Sequence, residues 1–168
     1  MKRSKFLSVL LAVILVISSF SCLSVVSFAA VVDSGNEYDD EGNITETYWE
    51  LDDSGTLTLL VDCPANSWAS HAAEIRKVVV KAEVTRINNS AFAGYPVLEE
   101  VEFTAPLEKI EAGAFADCDL LTELDIPGTT GIQDYAFYNC DNLRRVAIYG
   151  GLAEGNVGKH IFKDCKSL

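Results

Sequence analysis

Apolar and polar residues recur along this chain in a pattern that repeats every 22 to 25 residues. A phenylalanine marks each unit, with isoleucine or valine five residues before it and leucine six residues after it. Further apolar residues stand nine and eleven residues after the first three phenylalanines. The phenylalanine column consists of Phe92, Phe115, Phe137 and Phe162. A fixed internal period of this kind indicates one structural unit written several times.

The end of each unit predicts a short β-strand. Val101 and Phe103 alternate with polar residues, as the residues of a half-buried strand do. The segment around each phenylalanine, such as AGAFADC at 112–118, is expected to form a short helical turn or tight coil that returns over the core. Each unit is then one coil of a solenoid with stacked parallel strands. One coil cannot bury enough surface to fold alone, so its neighbours must complete the core.

The segment before the repeats predicts a different structure. Two alternating runs within residues 43–61 are joined by DDSGT, which is typical of a β-hairpin. A hairpin at this place would cover the exposed end of the solenoid. The following stretch, CPANSWASHAAEI at 63–75, predicts a short helical turn with Trp68 facing the core.

The N-terminus predicts export. Three basic residues precede an apolar run, and Ser27 and Ala29 have the spacing that a signal peptidase reads, so a signal peptide over residues 1–29 is expected. An uncleaved anchor or a lipid attached at Cys22 are the alternatives. After cleavage, residues 30–44 predict a flexible acidic linker, because DSGNEYDDEGN lacks the glycine and glutamate placement of a calcium loop.

Charge excludes some partners. The chain carries a net charge of −12, and cleavage of the leader would remove three positive charges. Nucleic acids and anionic membranes require a basic face, so neither is an expected partner, and no membrane insertion is expected after cleavage.

The cysteines first suggest reactive chemistry. Cys118, Cys140 and Cys165 share one column of the repeat with Tyr95, which favours an interior packing position over a disulfide or a metal site. Cys63 lies outside this column of the repeat and is left without an assigned role. His160 lies five residues before Cys165, which suggests a Cys–His catalytic dyad. The repeat, however, places His160 at a turn position and points Cys165 into the core, so a dyad is not expected. No catalytic residue, metal or cofactor is therefore expected.

The repeat unit I-x-x-x-A-F-x-x-C-x-x-L-x-x-V-x-I resembles the BspA-like subtype of leucine-rich repeats, found in bacterial surface proteins. WELDDSGTLTLLV followed by IRKVVVKAEVTRI is similar to a segment that often precedes such repeats. The resemblance implies an α/β solenoid of leucine-rich-repeat type, with an N-terminal cap at 45–74 and repeats at 75–168. The last repeat stops where its next strand should begin, so a fragment of a longer array is expected. The implied function is non-catalytic binding of a protein or glycan in adhesion; an accessory segment of a larger surface enzyme is the alternative.

The outward positions of the predicted strands are the candidate partner-binding face. Acidic residues lie between two basic groups along the stack, which predicts ion pairs of Lys77 with Glu100 and of Glu123 with Arg145. The same arrangement fits a recognition surface, and both interpretations stay open. The candidate residues are Glu100, Glu102, Glu123, Asp125, Arg144, Arg145 and Tyr149.

Overall fold

The computed structural model describes residues 29–63, 66–128, 131–152 and 157–168. The predicted signal peptide lies outside these residues except for Ala29, as does Cys22. Within the described part, the strands in chain order are β1 (Val31–Tyr38), β2 (Ile44–Asp52), β3 (Thr56–Val61), β4 (Lys77–Glu83), β5 (Arg86–Ile87), β6 (Glu100–Phe103), β7 (Lys109–Ile110), β8 (Glu123–Ile126), β9 (Gly131–Ile132) and β10 (Arg145–Ile148). A 3-10 helix spans Ala69–His71.

Equivalent strands of successive coils stack in parallel. β4 pairs with β6 and β8 pairs with β10, each in the register that the repeat predicts. The two-residue strands β5, β7 and β9 form a second parallel ladder on another side of the coil. The fold is therefore a β-solenoid of stacked parallel strands.

Among the described strands, the main ladder is interrupted between β6 and β8. Thr104 and Tyr149 each donate a backbone N–H to the preceding coil just after their strands, at 2.9 Å in both cases. Pro127 occupies the equivalent position after β8 and has no N–H to donate. Glu100 and Glu123 occupy equivalent positions of these two strands, and like charges on neighbouring strands repel. Both features weaken pairing at this point of the stack.

A column of aromatic rings runs through the core. Phe92, Phe115 and Phe137 are fully buried and stack with ring centroids 5.2 and 5.4 Å apart. Phe162 continues the column at one end, 5.5 Å from Phe137. Trp68 closes the other end at 5.4 Å from Phe92, so the predicted core position of this tryptophan is confirmed.

The returns between strands are turns, which corrects the expectation of an α/β fold with helical returns. In the described chain the only helix is the three-residue 3-10 helix. Alternate N–H groups of each return bond to the next coil; Phe92 N donates to Ala114 O at 2.8 Å, and Phe115 N donates to Ala136 O at 2.8 Å. Donors used between coils cannot form the i→i−4 bonds of an α-helix.

Two residues of each return adopt a left-handed conformation, four positions apart. The column after the phenylalanine holds Gly94, Asp117, Asn139 and Asp164, which are residue types that tolerate positive φ. The column before it holds Ser90, Gly113, Tyr135 and His160, with φ between 53° and 62°. A left-handed tyrosine costs about 1–2 kcal/mol relative to an ordinary helical conformation, so Tyr135 is the most strained member.

The predicted hairpin is present at the N-terminal side. β2 and β3 pair antiparallel, and β3 then pairs in parallel with β4, so that Leu57 lies in register with Val78 and Leu59 with Val80. The hairpin thus adds a strand to the solenoid sheet and places its apolar residues in the same core columns.

Residues 31–38 correct the expected flexible linker at 30–44, because they form β1, an antiparallel partner of β2. Gly35 makes this pairing possible, since a Cβ there would collide with the Trp49 ring. Asp39 closes the following turn by accepting hydrogen bonds from the backbone N–H groups of Glu41 and Asn43, at 3.0 and 2.8 Å. Alternation signals alone do not mark this strand, because its register is broken by bulges.

Candidate binding surface

The outward side chains of β4, β6, β8 and β10 form one charged surface, called here the strand face. The strands contribute Lys77, Glu100, Glu102, Glu123, Asp125 and Arg145, and the surface also includes Arg144 and Tyr149, which come directly before and after β10. β4–β6 and β8–β10 pairing sets the neighbours: Lys77 lies opposite Glu100, and Arg145 lies opposite Glu123. The strands position the side chains that they carry, such as Glu100 with Glu102 and Glu123 with Asp125, since every second residue of a strand points to the same side.

Lys77 and Arg145 each bridge two carboxylates of this surface. Lys77 Nζ lies 2.8 Å from Glu100 Oε1 and 2.8 Å from Glu102 Oε2. Arg145 reaches Glu123 Oε2 at 3.3 Å and Asp125 Oδ1 at 2.7 Å. The two predicted cross-strand pairs are therefore confirmed, and each also includes a second acid two residues further along the strand.

These contacts favour the charged form of both bases. Hydrogen bonds to Glu100 and Glu102 raise the pKa of the Lys77 ammonium. The pKa of the Arg145 guanidinium is raised first by its hydrogen bond with Tyr149 and then by the charge of Asp125. Four carboxylates share two cations, so this part of the strand face keeps a net charge of −2.

Arg144 and Tyr149 lie at the margin of the strand face with accessible side chains. Tyr149 is 57% exposed, and Arg144 is also exposed. Arg144 is fixed through its backbone N–H, which donates to Thr122 O at 2.8 Å, while its guanidinium makes no ion pair with the residues that the structure describes. Arg76 occupies the position before β4 that is equivalent to that of Arg144 before β10. Unlike Arg144, it forms an ion pair, in which Nη1 of Arg76 lies 3.0 Å from Oε1 of Glu99. Arg144 is thus the cation of this surface that is available to a partner.

The cysteine column is a packing and hydrogen-bonding column. Cys118 and Cys140 are buried, and Cys165 is partly buried. Each thiol donates to the carbonyl of the preceding coil's phenylalanine, with Sγ–O distances of 3.1, 3.2 and 3.0 Å along the column. Burial raises the pKa of Cys140 to about 12 and also raises that of Cys118. A thiol held protonated in this way is a poor nucleophile.

The two histidines lie apart from the cysteines. His71 Nε2 contacts Asp33 Oδ2 at 2.8 Å and ties the 3-10 helix to β1. His160 lies against Tyr135, whereas the nearby Cys165 thiol points to Phe137 O. Among the described residues, no group of histidine, cysteine and acidic side chains has an arrangement that could hold a metal ion. A search of the same residues finds no helix of sufficient length and hydrophobicity to cross a membrane.

An aromatic cluster on the turns, in which Tyr135 and His160 are exposed, was missed by the sequence analysis. Tyr135 stacks at a tilt on His160, with centroids 5.2 Å apart, and meets Tyr138 edge-on at 5.7 Å. The signal was available, because aromatic residues replace the serine and glycine of earlier units in the column two before the phenylalanine. This column does not stand out as part of the repeat, because its residues are not apolar throughout.

Comparison with known proteins agrees with this architecture. The sequence profile described as "BspA type Leucine rich repeat region" matches residues 64–168 with six copies. No curated protein matches the chain. A solved structure of a leucine-rich repeat protein from Eubacterium ventriosum is similar at 17% identity, with a TM-score of 0.39. The match covers 61% of this chain and 41% of that one, so this chain spans less than half of the similar protein.

Proposed function

Because the chain belongs to the BspA-type leucine-rich repeat family, we propose that it is a non-catalytic module that binds a protein partner through the strand face. Leucine-rich repeats generally mediate protein binding. The observation that carries the proposal is the strand face itself, where paired acids retain negative charge beside an available arginine and an exposed tyrosine. Tyrosine and arginine are enriched where protein interfaces are strongest.

The charge pattern defines the kind of partner. A basic side chain of the partner would find the four carboxylates only half neutralised, and an acidic one would pair with Arg144. The bridging bases hold the carboxylates in place, so the partner would meet a preorganised surface with little ordering to complete. Complementary charge of this kind chiefly sets specificity and association rate.

The same proposal includes export and display at a bacterial surface. It rests on the leader at residues 1–29 and on the family, whose members are usually surface or secreted proteins. The role would then be adhesion to a host or cell-wall protein.

The test compares pull-downs from extracellular-matrix and cell-wall extracts. One variant carries lysine in place of Glu100, Glu102, Glu123 and Asp125. A matched control carries lysine in place of the exposed acids Asp40, Glu41, Asp53 and Glu83, so that net charge changes equally. Any bound protein should be lost with the first variant and kept with the control, with circular dichroism unchanged in both. Equal retention by both variants would refute the strand face as the binding site.

A second design separates contact from charge. Arg144→Glu with Tyr149→Ala removes the two exposed groups and leaves the bridged acids in place. We expect weaker partner binding with the same stability. The alternative function, an accessory segment of a larger surface enzyme, would be supported if removal of the strand face reduced that enzyme's turnover without changing capture of any protein.

A further inference from the structure

The rings of Tyr135, Tyr138 and His160 form a separate surface, called here the turn cluster, in which Tyr135 and His160 are exposed and Tyr138 is partly buried. They belong to two successive coils and lie on the returns rather than on the strand face. Tyr135 joins the other two rings, with centroid distances of 5.2 Å to His160 and 5.7 Å to Tyr138. The two open rings are those of Tyr135 and His160, because Tyr138 is partly buried and Lys163 lies over its ring.

The repeat architecture does not require these rings. Two positions before the phenylalanine, the earlier coils place Ser90 and Gly113 where the later ones place Tyr135 and His160. One position after it, the sequence of residues is Ala93, Ala116, Tyr138 and Lys163. The same backbone is thus built with small residues in two coils and with rings or a long cation in the next two.

The rings are also not required by packing or by backbone conformation. Tyr135 is 41% exposed, and His160 is exposed as well. Tyr135 has φ of 59°, a conformation that Gly113 provides without strain at the equivalent position with φ of 62°. A residue that adds strain and leaves much of its surface in water is typical of a functional site.

We propose that the turn cluster binds a neutral saccharide ring. The C–H groups of a sugar's apolar face carry partial positive charge and pack on the negative face of an aromatic ring. Among the described residues, neither the Tyr135 hydroxyl nor the His160 imidazole has a hydrogen-bond partner, so both are available to sugar hydroxyls.

Charge around the turn cluster favours a neutral ligand. Lys163 Nζ lies 5.7 Å from the Tyr138 centroid and occupies the place that a cationic ligand would take. Lys163 itself lies 3.8 Å from Asp164, and Asp134 accepts the backbone N–H of Lys159 at 2.7 Å. The surroundings therefore hold both acids and bases, with Asp117 a further acid near Tyr138, so no single sign of charge is left for an ionic ligand.

The test is saturation-transfer-difference NMR with five neutral hexasaccharides, namely cellohexaose, laminarihexaose, xylohexaose, mannohexaose and chitohexaose. At least one should receive saturation from the wild-type protein at millimolar concentration. Tyr135→Gly and His160→Gly should each weaken that binding by about tenfold or more, as expected when one of two stacking rings is removed. Tyr38→Ala is the matched control, because Tyr38 is a 58% exposed tyrosine on β1. It should leave binding unchanged.

A urea titration separates binding from folding. Tyr135→Gly should unfold at the same or a higher urea concentration than the wild type, because glycine relieves the left-handed strain. If glycine lowers the midpoint, Tyr135→Asn keeps the test decisive, since asparagine also tolerates this conformation. Failure of all five sugars to bind would overturn the proposal. Unchanged sugar binding by the folded Tyr135 variants would also overturn it. So would a result in which these variants lose binding to a protein partner but keep binding to the sugar. The strand face does not enter this test.

Discussion

Truncation of the central phenylalanine should destabilise the solenoid more than any truncation at its end. Phe115 is fully buried, with Phe92 stacked 5.2 Å away on one side and Phe137 5.4 Å away on the other. Replacement of a buried phenylalanine by alanine costs about 3–5 kcal/mol. Two stacked neighbours each add about 0.5–1.5 kcal/mol beyond buried area. We therefore expect a loss near the upper end of that range, about 4–5 kcal/mol.

Phe162→Ala provides the matched comparison, because it removes the same atoms from the same column. Phe162 is only partly buried and stacks on one described ring, Phe137, at 5.5 Å. Partial burial of such a side chain is worth about 1–1.5 kcal/mol. Chemistry and repeat position are identical in the two variants, so the difference between them measures the contribution of the neighbouring coils.

The assay is urea unfolding followed by far-UV circular dichroism, which gives the free energy of unfolding and its urea dependence. A change in that dependence would show that the array no longer unfolds as one unit. A loss of less than about 1 kcal/mol for Phe115→Ala would refute the stacked core. Equal losses in the two variants would refute the claim that neighbouring coils stabilise the centre.

Three further predictions follow from single contacts. Tyr135→Gly should raise the free energy of unfolding by about 1 kcal/mol in the same urea assay, because φ of 59° suits glycine; a loss would show that the ring is needed for packing. Cys140 should resist iodoacetamide in the folded protein at pH 8 and react after unfolding, because burial raises its pKa to about 12 from 9.0. The protonated thiol contributes fully to stability below pH 9, and this contribution is lost as the pH rises towards 12. Rapid labelling of the native protein would contradict the burial. Lys77→Ala should cost about 0.5–1 kcal/mol at low salt and less in 1 M NaCl, because its two ion pairs are partly exposed, and a salt-independent loss would point to packing instead.

The repeat itself could be predicted from the sequence, because apolar residues recur at equivalent positions of every unit. Phe92, Phe115 and Phe137 stack as the period requires, and the register of Val78 with Val101 follows from the same spacing. The predicted pairs of Lys77 and Arg145 follow from that register as well. Regular columns carry this information because each coil must present the same surface to the next.

Other features escaped prediction because local signals do not encode them. The returns resemble a helical turn in composition, but their N–H groups bond to a neighbouring coil about 22 residues away along the chain. β1 pairs through an irregular register, so its sequence shows no clean alternation. The bridging of two acids by one base depends on side-chain reach across a strand, which residue spacing alone does not specify. The turn cluster arises from a column whose residue types change between coils.

Departures from the common residue type of a column are the observations on which both binding proposals rest. In a stacked solenoid, each residue lies beside the equivalent residues of the neighbouring coils. A residue that adds backbone strain, or that repels its equivalent neighbour, is therefore not explained by the stability of the stack. Glu100 beside Glu123 is such a departure, since alternating charge would serve stability better, and the ladder is interrupted at that very pair of strands. Tyr135, a bulky residue with a positive φ of 59°, is the second. The two departures lie on different sides of the coil, which is why the strand face and the turn cluster are proposed as independent binding surfaces.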